Sequence, residues 1–152
     1  MENSASNYGK FFLMLTISFF LMYGIMFLNV DKFDHVYTSL TRTYMTILMI
    51  APMALLKMGF MWNMYKDKKK NYAIISGAVI VFFGTLFLLR TQKPIGDKQW
   101  MEAMIPHHSS AIMTSSEATF SDPEVQKLAD DIIKAQVKEI AEMKEMLARL
   151  EK

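Results

Sequence analysis

Residues 11–30 (FFLMLTISFFLMYGIMFLNV) run for 20 positions without a charge, and no other feature constrains the fold of this chain as strongly. As a helix rising 1.5 Å per residue, the run reaches about 30 Å, the thickness of a bilayer's hydrocarbon core. A secretory signal would have a shorter apolar core, about 7–15 residues, followed by a small-residue cleavage site. Asn29-Val30-Asp31 is not such a site, so the run reads as a retained anchor. Two further runs follow. Residues 43–65 form a second span, which Pro52 is expected to kink and in which Lys57 can snorkel toward the nearer interface. Residues 71–89 form a third, closed by Arg90.

The charge is divided unevenly. Residues 1–93 carry ten Lys or Arg against four Asp or Glu, while residues 94–152 carry seven against eleven. An acidic soluble part disfavours nucleic acid as a partner and favours cations. The densest basic segment is residues 66–70 (KDKKK), between the second and third spans. The positive-inside rule places it in the cytoplasm. With three spans, the N-terminus is then also cytoplasmic, and residues 31–42 and 94–152 lie outside. All three histidines, His35, His107 and His108, fall on that outer side. His35 itself reads as a loop residue.

Past a short linker, a fourth helix is expected from Asp97 as N-cap to about Glu117, bent beside Pro106. Ser121-Asp122-Pro123-Glu124 has the order of a helix start, and the last helix should run to about Glu151. Its apolar stripe reads Val125, Leu128, Ile132, Gln136, Ile140, Met143, Leu147 and Leu150, in steps of three and four. The expected fold class is an all-α membrane protein. A membrane domain, residues 1–93, has spans at about 9–30, 43–65 and 71–90. An extracytoplasmic helical hairpin, residues 94–152, follows. A hairpin this small buries little core of its own. It is therefore expected to pair with a second copy into a four-helix bundle, as a homo-oligomer.

The chemistry is concentrated in residues 97–116 (DKQWMEAMIPHHSSAIMTSS). On a helix, Met104 shares a face with His107 and His108, three and four residues on, and Met101 lies one turn earlier. Thioether is a soft donor and imidazole a borderline one, and together they suit copper better than magnesium or calcium. Two readings stand: a copper site, or methionines in a core beside a polar helix edge. The chain has no cysteine, which excludes disulfides and zinc-thiolate centres. No Glu-x-x-His, His-Glu-x-x-His or nucleophile elbow occurs, so no enzyme activity is expected. Met45, Met49 and Met53 line one face of the second span without polar company and read as lipid-facing packing.

The same residues carry a resemblance. Met104, His107, His108, Ala111 and Ile112 match a Met-x-x-His-His-x-x-Ala-Ile motif, and Gln136, Glu139, Ile140 and Met143 match a later Gln-x-x-Glu-Ile-x-x-Met segment. In both, the last third of the chain resembles the family known as domain of unknown function 305. Many members have a methionine three residues after the motif alanine; here that position is Thr114, and Met113 stands one earlier. The resemblance implies a ferritin-like helical domain associated with copper outside the cytoplasm. The expected function is copper capture, buffering or hand-off at the outer face of the cytoplasmic membrane, with Cu(I) favoured. His107, His108 and Met104 are the expected ligands, with Met101, Met113 and Met143 in support. Gln136 and Glu139 are placed to orient the histidines. A transporter or metallochaperone would be the natural protein partner. The alternative is a metal-free interaction module that oligomerises through the hairpin.

Overall fold

The computed structural model describes residues 2–151. Among them the chain is helical throughout, with five long helices: α1 (Glu2–Ile25), α2 (Leu40–Phe60), α3 (Lys68–Thr91), α4 (Asp97–Glu117) and α5 (Pro123–Leu150). The first three are long and apolar enough to cross a membrane. Two compact units divide the chain.

The first unit holds residues 1–25 and 42–94. Its helices start and stop for identifiable reasons. α2 ends at Phe60, short of the expected 65, because the chain tightens into a 3-10 turn, Trp62–Met64. Asp67 then caps α3, its carboxylate accepting the Lys70 N–H. α3 closes on Gln92, whose φ of 53° is left-handed and stops the helix. Tyr8, Phe11, Ala54, Met58 and Tyr65 form a core where these helices meet. A polar knot adjoins it: the Tyr8 hydroxyl donates to Asn71 Oδ1 at 2.6 Å, and Asn71 Nδ2 donates to the Tyr65 carbonyl at 2.8 Å. The Tyr65 hydroxyl is buried with no hydrogen-bond partner among the described residues, and burial raises its pKa. Lys57 points its ammonium at Met14 Sδ, 2.7 Å away.

The second unit holds residues 26–41 and 95–152. Read as a connection in the sequence, residues 26–41 instead pack with the hairpin. α1 stops at Ile25 rather than 30 because the polar groups beyond it bond to α4. Asn29 Nδ2 donates to Ser110 Oγ at 2.7 Å, and the Asp31 N–H donates to Ser109 Oγ at 2.7 Å. A 3-10 turn, Phe33–His35, follows. The Leu40 N–H, an otherwise orphaned donor at the start of α2, is taken by Gln99 Oε1 at 2.8 Å.

α4 begins on Gly96 without a side-chain cap; Asp97 lies in its first turn rather than capping it, and favours that end through the helix dipole. The helix runs unbroken past Pro106. Asp122 caps α5, its carboxylate accepting the Glu124 and Val125 N–H groups, with Pro123 next. The two helices join around Met101, Ile105, Ile112, Ile140, Met143 and Leu147, with Tyr37 of the 26–41 segment packed against them. Lys98 ties the ends together, its ammonium 2.7 Å from Glu151. The buried stripe of α5 runs through Ala129, Ile133, Gln136, Ile140, Met143 and Leu147. Steps of four and three keep that face on α4. Val125, Leu128 and Leu150 fall beside it and are exposed. Near the turn the small Ala129 is the buried residue, 5 % exposed.

Candidate metal-binding site

Register on α4 decides what each residue of the His/Met stretch can do. A step of one residue turns the helix by about 100°, so His107 and His108 cannot share an environment. His108 is turned toward α5 and is 8 % exposed, whereas His107 faces outward. Their rings are 5.9 Å apart, centre to centre, and roughly edge-on.

His108 is held at both nitrogens. Nδ1 lies 3.0 Å from the Met104 carbonyl, one turn back, and Nε2 lies 2.7 Å from Glu139 Oε2 on α5. The carbonyl can only accept, so Nδ1 carries a proton and Nε2 is left as the nitrogen that meets the carboxylate or a metal. A backbone carbonyl on the far nitrogen is how ligating histidines are commonly oriented.

A metal at Nε2 would take the place of its contact with Glu139. Two ligands about 2.0–2.1 Å from a tetrahedral ion sit roughly 3.3 Å apart. The present 2.7 Å is a hydrogen bond, and Glu139 must withdraw by about 0.6 Å for both groups to bind one ion. It is free to do so, since half of its side chain is exposed.

The methionines separate by burial. Met101 and Met143 are 4 % and 7 % exposed inside the α4–α5 core. Met104 is half-buried and rests against the same core; Met113 is also half-buried, farther along α4. Gln136 is half-buried on the α5 stripe, and its amide makes no hydrogen bond among the described residues. Among the described residues no group of three or more His, Asp or Glu side chains is arranged to hold a metal ion. Among the described residues, His108 and Glu139 are thus in contact, and the His107 ring lies 5.9 Å from that of His108.

Two participants carry no signal in the sequence. His35, which reads as a loop residue, is buried, its Nδ1 2.8 Å from Ser109 Oγ. Ser109 is fully buried and adjoins His108. Its Oγ accepts from the Asp31 N–H, leaving its own hydrogen for His35. Burial, and then the nearby Lys144 charge, hold the His35 pKa below its ordinary value, which suits a ring that accepts this bond. Lys144 in turn pairs with Asp34 at 2.6 Å and lowers the Asp34 pKa through that bond. The Lys144–Asp34 pair reaches from α5 to the 3-10 turn, so both helices hold the segment in place.

Comparison with known proteins places this arrangement in context. Residues 87–147, which include all of α4 and most of α5, match the domain of unknown function DUF305. The uncharacterized protein L153 of Acanthamoeba polyphaga mimivirus is 33 % identical over 144 residues, covering 93 % of this chain and 93 % of its own length. No solved structure matches the chain.

Proposed function

We propose, for a chain that belongs to one family with the mimivirus protein L153 and has the DUF305 domain at its C-terminal end, that it captures copper at a membrane surface and passes it on without chemistry. The observation that carries this reading is His108. Its Nδ1 is committed to a backbone carbonyl, and its Nε2 is aimed at a movable carboxylate beside an exposed second histidine. His107 and His108 are the proposed ligands, with Met104 as thioether donor and Glu139 as the group that holds His108 until metal arrives. Thioether with imidazole favours Cu(I). Met113 is a further donor within the same helix. Gln136, half-buried on α5, would have to turn its amide toward the histidines to orient them.

Supply and hand-off both require a donor set that is not closed, and a rim histidine with one inward partner has that character. The three apolar helices support a multi-pass anchor. The basic segment 66–70 argues for a cytoplasmic N-terminus and an outward hairpin in the cytoplasmic membrane. Shared packing of residues 26–41 and 95–152 supports the same topology, because it requires both segments on one side.

A second reading has its own observation. Trp100, Leu128, Val137, Met146 and Leu150 are large, apolar and exposed on α4 and α5. They suit an interface between copies, in which hairpins pair as halves of a four-helix bundle and the histidines are structural.

A competitive Cu(I) titration of full-length protein in detergent separates the two. Saturable uptake lost in the His107→Ala/His108→Ala variant is expected. Uptake that is absent, or equal in both proteins, would reject copper capture and leave the interface reading.

A further inference from the structure

We infer that Lys66, Lys68 and Lys69 form a docking surface for anionic phospholipid headgroups in the bilayer leaflet where α3 begins. The inference is independent of metal binding and rests only on the membrane reading of the first unit.

Four lysines surround one aspartate in residues 66–70. Asp67 is already engaged. It caps α3 through the Lys70 N–H and pairs with the Lys70 ammonium at 3.6 Å. Lys70 also lies over the Tyr8 ring, 5.6 Å from its centre. Lys66, Lys68 and Lys69 are exposed and have no acidic partner among the described residues. Three charges with no acidic partner among the described residues therefore sit at the start of a 24-residue apolar helix, whose own dipole adds positive potential there.

The neighbours locate that charge at headgroup depth. Trp62 and Tyr72 meet edge to face, 5.6 Å between ring centres, with Tyr72 largely exposed. Phe60, 88 % exposed, ends α2 just before them. Aromatic rings with a polar tip collect where hydrocarbon meets headgroups, and Phe60 marks the apolar side of that boundary. The segment is also anchored. Tyr8, Asn71 and the Tyr65 carbonyl knit its base to α1 and α3. The lysines thus extend from an anchored backbone next to the apolar helices. A free anion would use the charge alone, whereas a phospholipid would use the charge and the apolar helices next to it. Continuity with those helices commits the surface to lipid.

Trp62 reports on this place. Trp100→Phe removes the second of the two tryptophans, leaving Trp62 as the fluorophore. That protein is reconstituted into phosphatidylcholine vesicles containing phosphatidylglycerol, with bromine on the chains of one lipid or the other. Quenching by brominated phosphatidylcholine establishes insertion. At equal mole fraction, brominated phosphatidylglycerol should quench as though enriched about five-fold, the Boltzmann factor of roughly 1 kcal/mol for one lysine near the surface. The excess should vanish in Lys66→Gln/Lys68→Gln/Lys69→Gln, persist in the triple arginine variant, and fall with salt. Equal quenching by both lipids, or an unchanged excess in the glutamine variant, would overturn the inference. So would loss of the excess on adding inorganic phosphate at matched ionic strength, which would mark a free-phosphate site. Quenching by neither lipid would instead defeat the membrane reading on which it rests.

Discussion

Replacing Ser109 with alanine tests whether residues 26–41 are pinned to α4 by one hydroxyl. The side chain is fully buried, and alanine differs from it by a single oxygen, so packing changes little. The cost lies in two lost partners. The Asp31 N–H, 2.7 Å from Oγ, belongs to an exposed residue and turns to water, which costs about 0.5–1.5 kcal/mol. His35 is 6 % exposed, and its Nδ1, 2.8 Å from Oγ, is left unpaired at about 1–3 kcal/mol. Allowing for local relaxation, the segment should lose about 2 kcal/mol of docking, close to 30-fold in its opening equilibrium. Hydrogen exchange on the full-length protein in detergent reads this directly. The His35 and Val36 amides bond to the Lys32 and Phe33 carbonyls only while the 3-10 turn is docked. Peptides spanning 30–37 should exchange about 30-fold faster in Ser109→Ala, and peptides of α5 should be unchanged. Adding His35→Ala should cost less than its single effect, because both residues share one interaction. Unaltered exchange in the single variant would refute the reasoning.

Three further predictions follow from the same geometry. Docking of residues 26–41 should be pH-dependent through His35: its folded pKa is lowered, so the proton is taken up by the undocked state first. Protection is then full above the ordinary histidine value, about 6.5, and declines as pH falls from there through the lowered folded value; a flat profile across that window would contradict it. Tyr65→Phe should raise the melting temperature of the first unit, by the equivalent of about 1 kcal/mol, because it removes a buried hydroxyl without a partner among the described residues; a lower melting temperature would show that the hydroxyl is satisfied. Met101→Leu and Met143→Leu should keep copper uptake and cost under about 1.5 kcal/mol each, since these side chains pack in the α4–α5 core; loss of uptake with stability intact would make them ligands.

Much of the fold is legible in the sequence because hydrophobic length and periodicity are local properties. Long apolar runs announce three helices able to span a membrane, and Asp122-Pro123 announces the start of α5. The phase of α5 is less legible. A stripe through Leu128 fits the period as well as one through Ala129, and only the partner helix selects the smaller residue. At the site, i, i+3 and i, i+4 spacing brings Met104 and the histidines onto neighbouring positions of α4, but it does not say which histidine faces inward. That is set by where α5 lies, which also turns Glu139 from a surface carboxylate into the partner of His108. The engagement of His35 is illegible for a similar reason. It depends on Ser109, 74 residues away in sequence, and on an Asp31 backbone amide that no side-chain pattern reveals.

The central claim is that His107, His108 and a methionine thioether hold copper. Copper K-edge absorption on the Cu(I)-loaded full-length protein tests it most directly, because it reports donor atoms. The account predicts imidazole nitrogen together with sulfur in the first shell, with the nitrogen contribution lost in His107→Ala/His108→Ala and the sulfur lost in Met104→Leu. A first shell unchanged by the histidine substitutions would contradict it.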